Sequence, residues 1–337
     1  MQVETAFADA CRVLETPPRF AVAVSGGPDS TALMRLAAAA RPLVLTVDHG
    51  LRAEAGTEAA SVAGWAASLG LEHRTLHWTG PKPARGIQEA ARAARYRLIA
   101  DACLKAGITA FMTGHTLDDQ IETVVMRRER GSGDWGAAGI PAQAELPDAP
   151  VRLMRPLIGV RKAALTKWLE LGGHPYFRDP SNSDPRFARA RLRTESVEAS
   201  LADMAALQRA RAAAERAALE VLASSEVTDG AVMAGQAALA GLEPAALDAA
   251  LAALLRLAGG QDHPGTRIER DRLAAAIRGG AFPGRTLAGV AIRPARRREG
   301  PAGMIAFVPE RGRAVTRRRF WLPFGQFPQI AADGAVV

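Results

Sequence analysis

The sequence predicts an α/β protein, a parallel sheet with helices on both faces, followed by a mainly helical C-terminal domain. Three observations predict it. Short apolar runs alternate with helix-spaced segments from Phe20 to His115; glycine-bearing turns follow the apolar runs; and from about Leu201 the composition shifts to Ala, Leu, Arg and Glu at helical spacing. The boundary is placed there, giving domains 1–200 and 201–337.

The elements follow in order. MQVETAFADACRVLE has an amphipathic pattern, and FAVAVSGG from Phe20 reads as a buried strand running into a glycine turn. STALMRLAAAA is the helix that follows. PLVLTVDHG is a second strand, EAASVAGWAASLG a second helix, LEHRTLHW a third strand, GIQEAARAARYRLIADACLKAG a long third helix and ITAFMTGH a fourth strand. Beyond Gln120 a helix runs to about Arg130, RGSGDWGAAGIP is a glycine-rich loop, and RKAALTKWLELGG is helical again. Helical spacing extends through Leu222 and recurs from Pro244 to Leu257. From about Arg285, short apolar runs between arginine clusters predict a small β-rich terminus.

Composition narrows the functions. With 337 residues, 48% of them hydrophobic, the chain can bury a sizeable core in about two domains. Its net charge of +8 favours a polyanionic partner, nucleic acid or an anionic membrane surface, although the abundance of Ala and Arg also fits genomic bias. Cys11 and Cys103 are too few and too far apart for a zinc or iron–sulfur centre, which suits a reducing cytoplasm. The N-terminus lacks the basic start and apolar core of a secretory signal. AALDAALAALLRLAGG is interrupted by Asp248 and Arg256 and is too short to cross a bilayer, so no membrane segment is expected.

In a parallel sheet ligands bind beyond the carboxyl ends of the strands, where SGGPDS, DHG and TGH all fall. In Ser25-Gly26-Gly27-Pro28-Asp29-Ser30, small residues between a buried strand and a helix let amide groups approach phosphate oxygens, and the helix N-terminus adds partial positive charge. The lysine and spacing of a Walker A loop are absent, as is the glycine order of a dinucleotide fold. The plainer alternative is a tight turn with a helix cap. Asp119 and Glu122 are three apart on a predicted helix and share one face, with Asp118 beside them. Acidic residues also favour helix starts for ordinary electrostatic reasons. His73 and His77 have the spacing of a helical metal pair but lie in a strand without a third ligand, so no metal site is expected there.

SGGPDS matches the signature of PP-loop (N-type ATP pyrophosphatase) enzymes, and other landmarks recur in register through the first two thirds of the chain. Asp48-His49-Gly50-Leu51-Arg52, Ala91-Arg92 with Arg95-Tyr96, Thr113-Gly114-His115, Asp118-Asp119-Gln120-Ile121-Glu122-Thr123, Arg130-Gly131-Ser132-Gly133, Arg155-Pro156-Leu157 and Asp179-Pro180-Ser181-Asn182 together resemble the tRNA(Ile)-lysidine synthases. Two departures stand out: Arg178 where the family usually has an acidic residue, and Ala190 where asparagine is common. The C-terminal region matches only loosely.

The resemblance implies a PP-loop catalytic domain over 1–200, a helical tRNA-binding region over 201–337, and a carbon–nitrogen ligase. Such enzymes use ATP, with Mg²⁺, and L-lysine to convert the wobble cytidine of the CAU anticodon of tRNA(Ile) to lysidine, releasing AMP and diphosphate. On that resemblance Ser25, Gly26, Gly27, Pro28, Asp29 and Ser30 bind ATP, with Ser25, Gly26, Gly27 and Ser30 on the leaving diphosphate, and Asp48, Gly114 and His115 hold the adenosine. Asp29 orients the loop or helps hold Mg²⁺. Asp119, Glu122 and Asp179 grip lysine, with Asp118, Asp119 or Glu122 taking its proton. Arg92, Arg95, Arg130, Arg189, Arg191 and Arg193 lie near the tRNA, and Tyr96 is either a base-stacking ring or a half-buried helix residue. A PP-loop enzyme that thiolates tRNA is the nearest alternative, disfavoured by the unpaired cysteines. A non-catalytic RNA-binding protein with a relic nucleotide fold is the other.

Overall fold

The computed structural model describes residues 3–52, 54–129, 138–146, 149–178, 197–228, 230–259, 264–280 and 282–310. The chain divides into two compact units, Met1–Leu207 and Gln208–Val337.

In the first unit α1 (Val3–Val13) is followed by β1 (Ala21–Ala23), α2 (Pro28–Leu36), β2 (Leu43–Asp48), α3 (Ala55–Ser68), β3 (His73–His77), α4 (Ile87–Lys105), β4 (Ala110–Met112) and α5 (Leu117–Glu129). Then come β5 (Gln143–Leu146), β6 (Ala149–Met154) and α6 (Lys162–Leu171), and the long α7 (Val197–Ala223) runs into the second unit. The six strands lie in the order β3-β2-β1-β4-β6-β5, parallel except for the antiparallel β5–β6 pair at one edge.

Alternation along the strands fixes the two faces, because successive side chains of a strand point to opposite sides. Val22, Val44, Met112 and Met154 pack with residues of α1, α2, α3 and α6 on one face. Ala21, Leu45, Phe111 and Leu153 pack with Ile99, Ala100 and Cys103 of α4 on the other. Both faces of the central strands are therefore apolar, which is why they read as continuous hydrophobic runs. The strand order reverses at β1, so the loops leaving β1 and β4 flank the crevice where such sheets bind ligands.

Three local outcomes differ from the sequence expectation. The helix after the first strand stops at Leu36, and Ala38–Ala40 forms a single 3₁₀ turn before Arg41 takes the left-handed conformation. The helix expected beyond Gln120 begins at Leu117, because the Asp119 carboxylate reaches back to the Thr116 amide and hydroxyl at 2.6 and 2.8 Å and closes the first turn. The sequence expectation lacks the β5–β6 hairpin: Arg152 interrupts the apolar pattern of β6, yet Val151 and Leu153 alternate into the core.

The second unit holds α8 (Gln236–Ala240), α9 (Pro244–Gly259) and α10 (Arg267–Arg278) beside an antiparallel sheet. Its strands β7 (Glu226–Val227), β8 (Val232–Gly235), β9 (Arg285–Leu287), β10 (Val290–Pro294) and β11 (Met304–Pro309) lie in the order β7-β8-β11-β10-β9. The sheet thus recruits two short strands that precede the helices, besides the β-rich stretch after Arg285. Asp248, which interrupts the apolar run of α9, accepts both arms of Arg270 at 2.7 and 3.1 Å, so its buried charge is paired. Among the described residues no helix is long and apolar enough to cross a membrane.

Candidate active site

The loop from Ser25 to Ser30 joins β1 to α2. Gly26 has φ +87°, a conformation that only glycine adopts without strain, and Gly27 at φ −69° and ψ 166° precedes Pro28 at the first helical position. No side chain caps α2, which leaves the amides of its first turn without a side-chain acceptor. The Ser25 and Ser30 hydroxyls lie 3.2 Å apart, and Ser30 Oγ accepts from the Ser25 amide at 3.1 Å and donates to the Gly27 carbonyl at 3.1 Å. These bonds tie the two serines and the Gly27 carbonyl into one tight turn at the start of α2.

Two elements press on the loop. A Cβ on Gly114 would stand 2.8 Å from Asp29 C and Ser30 N, so the exit from β4 requires glycine to pass the start of α2. On the other side the Phe177 amide donates to the Gly26 carbonyl, and the Phe177 ring packs at 5.0 Å from that of Trp65. The chain segment two residues before Asp179 is thereby anchored on the loop.

Asp29 is largely buried. Its Oδ2 lies 3.2 Å from Lys162 Nζ, while Oδ1 is buried without a hydrogen-bond partner. Burial pushes its carboxyl up to about 6; Lys162 opposes that rise, and the nearby Asp119 and Asp118 charges add to it. Three carboxylates from two helices therefore sense one another. Asp118 Oδ2 accepts the Lys162 amide at 2.7 Å and so caps α6 from α5, with Arg161 at 3.6 Å from its other oxygen. Asp119 has its Oδ2 on Thr116, and Glu122 lies half-buried one turn further along α5.

His115 accompanies this group. Its Nδ1 is 2.8 Å from Thr113 Oγ1, and burial pushes its pKa down to about 4, helped by Arg155 and opposed by Asp119. It is a neutral imidazole at ordinary pH. Arg92 and Arg95 lie close enough to lower it further, which brings those two of the six candidate arginines to the site. Arg92 sits 5.1 Å above the Tyr96 ring, and Tyr96 is half-buried with its ring 6.3 Å from Phe111. That is the packing of an ordinary helix tyrosine.

Asp48 ends β2 one strand away. Its Oδ1 accepts the Gly50 amide at 2.7 Å and its Oδ2 lies 3.5 Å from His77 Nδ1, while Arg95 reaches His49 Nε2 at 3.2 Å. His73 bonds Thr46 Oγ1 at 2.9 Å, so the two strand histidines are engaged by neighbours on β2. Arg130, Asp179, Arg189, Arg191 and Arg193 lie outside the described residues, as do the Arg130–Gly133 and Asp179–Asn182 motifs.

Sequence reasoning missed four contributors. Lys162 joins Asp29 to Asp118, and Phe177 supports Gly26. Gln120 is buried and exchanges two 2.6 Å hydrogen bonds with the Ile140 backbone, and buried Arg155 donates to the Pro141 carbonyl at 2.7 Å. With Arg127 on the Gly139 carbonyl at 2.9 Å, they clamp the chain just where it returns from the glycine-rich loop. Gln120 and Arg155 stood inside recognised motifs; for Lys162 and Phe177 the sequence carried no signal beyond residue type.

The family model described as a PP-loop domain matches residues 1–200. A protein named tRNA(Ile)-lysidine synthase from Methylobacterium nodulans is 46% identical over 74% of this chain and 78% of its own length. A second of that name, from Methylobacterium sp. strain 4-46, is 43% identical over 88% of this chain and 90% of its own. A third, from Rhodopseudomonas palustris, is 50% identical over 64% of this chain and 63% of its own. Among solved structures, the U34-tRNA thiolase NcsA from Methanococcus maripaludis is similar at 14% identity and a TM-score of 0.49, covering 62% of this chain and 79% of that one.

Proposed function

Because this chain belongs to the PP-loop family, and within it to the tRNA(Ile)-lysidine synthases, we propose that it joins L-lysine to C2 of the wobble cytidine in the CAU anticodon of tRNA(Ile). The reaction is an ATP-dependent ligation, and one observation carries the assignment of its site. The Ser25–Ser30 loop and the acidic start of α5 converge on the crevice beside β1, with Asp29, Asp118 and Asp119 within electrostatic reach of one another.

Cytosine O2 leaves poorly until it is activated. In the first step O2 attacks the α-phosphorus of ATP, and the bond to the β-phosphate oxygen breaks. Ser25, Gly26, Gly27 and Ser30 with the uncapped start of α2 hold the departing diphosphate, and Pro28 sets the backbone for it. Asp48, Gly114 and His115 line the adenosine side. The buried, unpartnered Oδ1 of Asp29 is a hard oxygen donor suited to Mg²⁺, which supplies phosphate charge neutralisation when bound.

In the second step the ε-amine of lysine attacks C2, the C2–O2 bond breaks and AMP departs. The amine must shed a proton to attack. Asp119, through the oxygen not committed to Thr116, and Glu122 grip the ammonium and accept that proton, with Asp118 fixing the helix that carries them and Asp179 completing the lysine contacts. Arg92 and Arg95, with Arg130, Arg189, Arg191, Arg193 and the region after Leu201, hold the tRNA backbone. A cytoplasmic location follows from that substrate.

Sulfur transfer finds no support in the cysteines. Cys11 packs on one face of the sheet and Cys103 is buried on the other, its thiol pushed up to about 12 by desolvation. Purified protein given Mg²⁺, ATP, labelled lysine and a CAU-anticodon tRNA(Ile) transcript is expected to incorporate lysine with stoichiometric AMP. AMP formation with no lysine in the RNA would overturn the assignment.

A further inference from the structure

The start of α6 touches both halves of the proposed site through one residue. Lys162 lends its backbone amide to Asp118 Oδ2 at 2.7 Å and its ammonium to Asp29 Oδ2 at 3.2 Å. Asp118 opens the acidic helix assigned to lysine, and Asp29 lies in the phosphate loop. The Lys162 side chain is 40% accessible against 18% for that of Asp29, so the pair is reached from solvent on the lysine side.

We propose that Lys162 is a positioning residue for the nucleotide: its ammonium neutralises Asp29 beside the phosphate loop, while its amide fixes the distance from that loop to the acidic end of α5. The inference rests on the reading of Ser25–Ser30 as the diphosphate cradle. Asp29 and a triphosphate carry charge of one sign, and in a site withdrawn from water their repulsion is only weakly screened. A cation held 3.2 Å from the Asp29 carboxylate offsets that opposition before ATP arrives. The amide contact to Asp118 belongs to the backbone and survives any substitution of the side chain, so the two roles can be separated.

Lys162→Met, with Lys162→Gln beside it, removes the ammonium and keeps the amide. Calorimetric titration of the full-length chain with ATP and Mg²⁺ is expected to show binding weakened about tenfold, the scale of one lost charge-assisted contact, with Lys162→Arg restoring it to within about threefold. In tRNA lysylation the same variants raise KM for ATP while kcat stays within about threefold, a split that a destabilised fold would not produce. ATP binding by Lys162→Met and Lys162→Gln at the wild-type level overturns the inference, and so does a Lys162→Arg variant as weak as Lys162→Met. Ser25→Ala serves as the separate check on the cradle. If it leaves ATP binding unaltered, the cradle reading fails and the inference falls with it; if it weakens binding while the Lys162 variants do not, the inference fails alone.

Discussion

The Phe177 amide donates to the Gly26 carbonyl across 2.8 Å, and a Cβ added to Gly26 would stand 2.5 Å from Cδ2 of the same phenylalanine. Two independent constraints therefore require glycine at position 26, its φ of +87° and the ring lying over it. The left-handed conformation alone costs alanine about 1 kcal/mol or more, and displacing Phe177 from Trp65 adds to that. Gly26→Ala is expected to lower the melting temperature and to abolish ATP binding. Phe177→Ala, which empties a half-buried position, costs about 2 kcal/mol, and the double variant recovers part of the Gly26→Ala loss. Calorimetry on the three variants checks this; strict additivity would show that the contact has no energetic consequence.

Asp119 has both a structural and a chemical claim on it, and its neighbours allow the two to be separated. Thr116→Ala removes the hydroxyl donor to Asp119 and leaves the amide, so a stability loss of about 1 kcal/mol with little change in lysine KM is expected. Asp119→Asn keeps an acceptor for the Thr116 amide but discards the charge. Lysine transfer should then fall about a hundredfold while tRNA-dependent diphosphate release continues. Equal loss of both steps would assign Asp119 to the nucleotide instead.

Much of the first unit was legible because its strands are buried on both sides. Val22, Val44 and Met112 face one layer of helices, and Ala21, Leu45 and Phe111 face another, so each strand is an unbroken apolar run. The phosphate loop was legible for a related reason: tight backbone demands small residues in a fixed order. The strand β6 is hidden because Arg152 within it and Arg155 just beyond its end break the pattern, and their carbonyl acceptors at Glu15 and Pro141 lie elsewhere in the chain. Lys162 was hidden in the same way. Its significance lies in two carboxylates from other helices, and local periodicity carries no record of tertiary partners.

His115 should be silent across the physiological range. Burial and the Arg155 guanidinium hold its imidazole near 4, below the usual 6.5, so its ring stays neutral from pH 5.5 upward. A depressed histidine contributes stability that is complete above about 6.5 and is lost as pH falls through about 4, because the unfolded chain takes up the proton first. Proton NMR of the imidazole Cε1 resonances, with the His115 signal assigned by its loss in His115→Gln, should show that signal titrating near 4. A midpoint near 6.5 would mean that Arg155 and burial exert no net effect there.

Glu215 poses the opposite case in the second unit. Only 1% of its side chain is accessible; Oε1 accepts from Arg211 Nε at 2.9 Å and Oε2 is buried without a hydrogen-bond partner. Burial pushes its carboxyl up to about 7 and Arg211 only partly opposes the rise, so the cost of desolvating the charge exceeds what the guanidinium returns. The sign follows from proton uptake. The folded chain retains the Glu215 proton up to about 7, whereas the unfolded chain releases it near 4.5. The stabilisation is complete below 4.5 and is lost as pH rises through about 7. Glu215→Gln keeps the acceptor for Arg211 and removes the ionisation. At pH 8 the variant is expected to melt several degrees above wild type, and at pH 4.5 the two should coincide. A variant that melts lower at pH 8 would show that the Arg211–Glu215 pair stabilises the unit as an ion pair despite its burial.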